Sequence, residues 1–184
     1  MASKATAYSV LVLRLLTLLA SIACMVVIVT DKITFGEVTA DSTFKALNAY
    51  RYLLSVAVIA STYSLLQFPF TVYYASKEKR LIHGQFLPEF DFYGDQVISL
   101  LLATGVGAGF AVSCEYKKFL DALYELLASM NFTGLEQSKS STEEFLDKGN
   151  IAAGLLLIAS LFMAALLIIS SNNRTKINGF FALG

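Results

Sequence analysis

Four apolar runs punctuate the chain, and the polar stretches between them are short. The runs cover residues 8–29, 47–70, 92–113 and 149–171. At ~1.5 Å per residue, each is long enough to cross a hydrocarbon core ~30 Å thick. The first is interrupted only by Arg14. It is longer than the ~7–15-residue apolar region of a secretory signal, so it reads as an uncleaved span. The second opens on Tyr50-Arg51-Tyr52, an aromatic and cationic anchor suited to the membrane interface. Pro69 is expected to end that helix, because an interior proline costs backbone hydrogen bonds.

The pattern changes after the third run. From 115 to 130, Phe119, Leu120, Leu123, Leu126, Leu127 and Met130 recur at spacings of three and four, with charged residues between them. This predicts an amphipathic helix, too polar to span, lying at the membrane surface or on the other helices. Residues 134–148 are polar and Ser-rich and read as loop; 172–184 read as a short tail. No repeat or linker divides the chain. The expected fold is an all-α membrane protein, a single four-transmembrane-helix bundle over residues 1–184 with an additional amphipathic extracellular helix.

Composition agrees with this reading: 56% of residues are hydrophobic and 15% charged, and the mean hydropathy is +0.63. A net charge of zero argues against a nucleic-acid partner. Cys24 and Cys114 make neither a disulfide framework nor a zinc site, and His83 stands alone in a charged loop, so neither a metal nor a cofactor is expected.

Four spans put both termini on one side, with loops 30–46 and 114–148 opposite. Lys4, Lys77, Lys79, Arg80, Arg174 and Lys176 fall on the terminal side, and Lys32, Lys45, Lys117, Lys118, Lys139 and Lys148 on the other. The count balances. Charge density in short loops favours cytoplasmic termini, since long loops weigh less. Asn131-Phe132-Thr133, a glycosylation acceptor in the long loop, points the same way; Asn173-Arg174-Thr175 also matches but abuts the fourth span.

The third run carries the chemistry. On a helix, Asp95, Ser99, Ala103, Gly107 and Ala111 fall four apart, and Gly105, Gly109 and Ser113 form a second row of small residues. Small residues let helices approach closely in lipid. A carboxylate there needs a partner, since Asp at a helix centre costs about 2.5–3.5 kcal/mol on insertion scales. Arg14 lies at a matching depth, so an Arg14–Asp95 ion pair is expected, and Gln67 can join it as a neutral donor and acceptor. The pair has two readings: it fixes helix packing, or it serves a proton or ion path as part of a transporter or channel subunit. Gly105-Val106-Gly107-Ala108-Gly109 lacks the strand–helix context of a nucleotide loop. With no nucleophile beside a base and no facing carboxylates, an enzyme is not expected.

Four spans with an arginine in the first and an aspartate in the third, Ala49-Tyr50-Arg51-Tyr52, and Phe90-Asp91-Phe92-Tyr93-Gly94-Asp95 together resemble the plant Casparian strip membrane domain proteins. The closer resemblance is to their broader CASP-like relatives, which are related to the MARVEL tetraspan proteins. The family arginine maps to Arg14 and the family aspartate to Asp95. The resemblance implies a non-enzymatic plasma-membrane protein that forms homo-oligomers, or hetero-oligomers with related tetraspan proteins. It also implies a scaffold that organises a membrane domain and recruits partners. Residues 31–45 lack the proline- and phenylalanine-rich signature of strip-forming members, which points to a general role in membrane organisation rather than wall lignification.

Overall fold

The described residues of each apolar run lie within a helix, and the helices extend past the runs. In a computed structural model, described over residues 4–30, 34–35, 38–39, 48–77, 86–130 and 136–181, α1 spans Lys4–Thr30, α2 Asn48–Lys77, α3 Phe86–Ser129 and α4 Glu136–Phe181. Two short strands, β1 (Thr34–Phe35) and β2 (Val38–Thr39), pair antiparallel within the first interhelical loop. All four helices are long and apolar enough to cross a membrane.

The helices form a ring in chain order. α1 packs against α2 and α4, and α3 packs against the same two; α1 and α3 lie across the ring with no comparable contact. The shared interior is apolar and close-fitting, with Leu53, Leu102, Leu156 and Met163 fully buried.

Three expectations are corrected. Pro69 does not end α2, which continues to Lys77. In lipid, a proline leaves one backbone carbonyl short of a partner, whereas ending the helix leaves up to four, so continuation is cheaper. Residues 115–129 do not form a separate amphipathic helix at the membrane surface; they continue α3 without a break. No Gly or Pro interrupts 115–129, and Leu, Ala, Glu and Lys favour helix. The stretches read as loop and tail, 136–148 and 172–181, are likewise part of α4.

A 44-residue helix such as α3 is ~66 Å long, about twice the hydrocarbon thickness. Asn48 starts α2 close to the level of Ser113, to which Tyr50 is hydrogen-bonded. Beyond that level α3 and α4 run on together as a helical hairpin, with a small core of Tyr50, Phe145 and Leu146 against Leu120 at its base. Exposed ion pairs tie its arms: Lys117 to Asp147, and Lys139 to Asp121 at 3.1 Å. The bonded carboxylates hold both lysines above the ordinary lysine pKa of 10.5.

Candidate functional site

The polar centre of the bundle is built from three helices at one level. Arg14 of α1 reaches across the ring to α3, where its Nη2 donates to Asp95 Oδ2 at 3.2 Å. Both residues are buried, 3% and 1% exposed. The second carboxylate oxygen, Oδ1, accepts from the Tyr63 hydroxyl of α2 at 2.8 Å. Gln67, one turn along α2, donates from Nε2 to the Tyr63 oxygen at 3.4 Å. The Arg14 guanidinium also sits 5.9 Å from the centre of the Tyr63 ring, within cation–π range. Asp95 thus accepts from two helices with one oxygen each, and the charges cancel. Arg14 Nε and Nη1 are buried without a hydrogen-bond partner, as are the Ser21 and Ser64 hydroxyls.

Gly94 makes this geometry possible. A Cβ placed on it would stand 2.9 Å from Tyr63 Cε2 and nearer still to the hydroxyl. Gly94 therefore provides the space through which the tyrosine reaches its carboxylate. The same device recurs at the other end of α2, where the Tyr50 ring occupies the space above Gly149. There the Tyr50 hydroxyl bonds Ser113 at 2.9 Å, and the ring meets Phe145 edge-on with centroids 5.5 Å apart. Between them, Tyr52 bonds Thr104 at 2.8 Å. Thr104 commits its own proton to the Leu101 carbonyl, so Tyr52 is the donor. Three tyrosines of α2 thus meet α3 at 95, 104 and 113, rungs ~13.5 Å apart along the helix.

The two small-residue rows of α3 part company. Gly105 and Gly109 face inward: a Cβ on Gly105 would lie 3.1 Å from both Leu156 and Val56, and one on Gly109 would lie 3.0 Å from Ala153 and closer to Leu53. The other row starts buried at Asp95, is half-buried at Ser99, and is exposed at Ala103, Gly107 and Ala111. Four residues advance an α-helix by about 400°, so a row of fours drifts ~40° per step and winds from the interior to the lipid side. A Cβ on Gly107 would meet nothing within 4 Å. Asn131 lies outside the described residues.

Sequence reasoning missed Tyr63 and Gly94 as a pair. Tyr63 lies four before Gln67 and three after the buried Ala60, which marks its face. Its contact with Gly94 links different helices, and no spacing within one helix announces it. Among the described residues no group of His, Cys, Asp or Glu is arranged to hold a metal ion.

The profile of the Casparian strip membrane protein domain matches residues 3–121, which include Arg14, Tyr63, Gly94 and Asp95. A CASP-like protein 4D1 from Ricinus communis is 36% identical over 171 residues, 92% of each chain. A CASP-like protein 4D2 from Arabidopsis thaliana is 35% identical over 91% of this chain and 90% of its own. A CASP-like protein 4D1 from Arabidopsis lyrata is 37% identical over 90% and 87%. No solved structure matches. With four membrane-spanning helices and this likeness along nearly its whole length, the chain belongs to the Casparian strip membrane protein domain family of plant membrane proteins.

Proposed function

We propose that the protein is a non-enzymatic tetraspan scaffold of the plasma membrane that self-associates, alone or with related tetraspan proteins, and organises a membrane domain. Its termini are cytoplasmic, and the α3–α4 hairpin faces outward, where it is placed to recruit partner proteins or wall-modifying enzymes. The observation that carries this reading is that the charged centre is confined to one level and does not continue through the bundle. Arg14, Asp95, Tyr63 and Gln67 bond one another at a single level near the inner ends of the spans. Between the serines above that level and the Tyr50–Ser113 bond, the interior is filled by Cys24, Ile28, Leu53, Val56, Leu102 and Leu156. A relay across the bilayer needs polar groups along its whole depth; a cluster built this way fixes how three helices sit together. The exposed row Ala103, Gly107 and Ala111 supports close approach by another membrane helix. The alternative, a transporter or channel subunit working through Arg14 and Asp95, has no observation in its favour.

Slow lateral exchange of a fluorescent fusion at the cell surface, with ordinary resting conductance, is the expected result. Rapid exchange, or substrate flux through the purified protein in vesicles, overturns the reading. A glycosidase-sensitive mobility shift lost in Asn131→Gln checks the orientation, and protease access to the hairpin from the cytoplasmic side reverses it.

A further inference from the structure

Most buried hydroxyls of α1 and α2 follow one habit. Thr17 donates to the Leu13 carbonyl at 2.9 Å, Ser61 to that of Val58 at 2.9 Å and Thr71 to that of Gln67 at 3.0 Å. Each returns its proton to the preceding turn of its own helix, the ordinary local solution for Ser and Thr. Ser64 breaks the habit. It is 2% exposed, and its hydroxyl has no partner among the described residues. The Arg14 guanidinium is only partly served: Asp95 holds Nη2, while Nε and Nη1 are buried with no acceptor.

These groups share one level of the bundle. Ser64 follows Tyr63 on α2, and the Tyr63 ring lies 5.9 Å from the guanidinium carbon of Arg14. Tyr63 and Arg14 bond the same carboxylate. One residue advances a helix by ~1.5 Å, so Ser64 sits close to the guanidinium in depth. It lies one turn from Ala60, which is buried in the shared core, so it faces inward. The side chains that α1 and α2 bury nearby are small: Thr17 and Ser21 from one helix, Ala60 and Ser61 from the other.

A buried donor without an acceptor carries the full cost of its desolvation, and native interiors rarely leave one so. Nε, Nη1 and the Ser64 hydroxyl together point to a ligand, and their chemistry selects it. Nη1 lies on the Cδ side of the guanidinium, whereas the Nε–H points to the opposite edge, so no single acceptor atom serves both. The charge of Arg14 is already matched by Asp95, so an anion would bring an unmatched charge into the membrane interior. Water is neutral and small, accepts from a guanidinium, and either donates to a serine or accepts from it. A buried water typically makes about three hydrogen bonds to groups of this kind.

We infer that the bundle holds a small group of bound waters at the level of Arg14, accepting from its Nε–H and Nη1–H and shared with the Ser64 hydroxyl. They complete the solvation of a guanidinium that Asp95 serves at Nη2 alone. The site lies within one chain and does not depend on self-association.

The test uses the full chain in lipid nanodiscs with isotope-labelled arginine. The Arg14 Nε–H resonance is assigned by its loss in Arg14→Lys, and magnetisation transfer from water to it is measured by NMR. Transfer with the sign of bound water is expected in the wild-type chain. Ser64→Ala is expected to lower it several-fold with the resonance retained. Ser61→Ala is expected to leave it unchanged, since that hydroxyl is returned to Val58. Exchanging chloride for a bulky organic anion is expected to change nothing. A wild-type Nε–H that receives no transfer overturns the site, and this arm needs no substituted chain to fold. A resonance that moves when chloride is exchanged overturns water in favour of an anion. Equal transfer in Ser64→Ala, Ser61→Ala and the wild type, or equal loss in both variants, overturns the place of Ser64 in the site.

Discussion

The ring of Tyr63 occupies the space where a Cβ on Gly94 would stand. The pairing joins α2 to α3 and delivers a hydroxyl to Asp95 Oδ1 at 2.8 Å, so a residue with no side chain controls how a buried carboxylate is solvated.

Gly94→Ala is expected to push Tyr63 off Asp95 and to cost about 1–3 kcal/mol, the usual range for overpacking. Tyr63→Phe keeps the ring and removes the hydrogen bond; a bond to a charged acceptor is worth about 1.5–3 kcal/mol. Thermal unfolding of Gly94→Ala, Tyr63→Ala and the double variant forms a cycle. The alanine at 94 should cost little once the ring is gone; an unchanged cost separates the two residues.

Asp95→Asn is expected to be less harmful than Asp95→Leu, because the amide oxygen still accepts from Tyr63 or Arg14. Breaking a buried pair typically costs about 3–5 kcal/mol. Asp95→Asn keeps an acceptor beside Arg14, so it belongs at or below the lower end. The exchange Arg14→Asp with Asp95→Arg should recover only part of the loss, since Tyr63 would then point its proton at a guanidinium. Surface delivery and melting temperature of the four variants measure the coupling; zero coupling rules out a stabilising pair.

Gly105→Leu and Gly109→Leu are expected to destabilise the monomer, because Val56, Leu156, Leu53 and Ala153 occupy the space a side chain needs. Gly107→Leu should leave melting unchanged and weaken oligomers. A loss of monomer stability in Gly107→Leu matching that of Gly109→Leu would contradict the outward placement of this row.

The hairpin pairs give a pH dependence of known sign. Lys117 and Lys139 have raised pKa values in the folded protein. Their stabilisation is complete below the ordinary lysine value of 10.5 and lost as pH rises through the folded values. Both are exposed, so the effect is small and screened by salt. Helicity of the wild-type chain should fall slightly more between pH 9 and 12 than that of Lys117→Met with Lys139→Met.

The four spans are legible in the sequence because lipid imposes a length that only long apolar runs meet. Arg14 and Asp95 stand out because a charge inside such a run has a cost that a partner must offset. Tyr63 does not: a tyrosine in an apolar run costs little, and its role depends on Gly94 in another helix. Residues 136–148 mislead for a different reason. Their serines suit a loop in isolation, but an arm bound to α3 through Lys117–Asp147 and Lys139–Asp121 is held helical by its neighbour.

The diagonal reach of Arg14 orders events during synthesis. Its partner is 81 residues further along the chain. At roughly 5–20 residues per second, the guanidinium waits ~4–16 s before Asp95 exists. Throughout that interval Arg14 is without the carboxylate it bonds in the finished protein. Its bonded position is reached only when α2 has brought Tyr63 and α3 has followed with Asp95. The contact of the helix made first is therefore among the last to be completed.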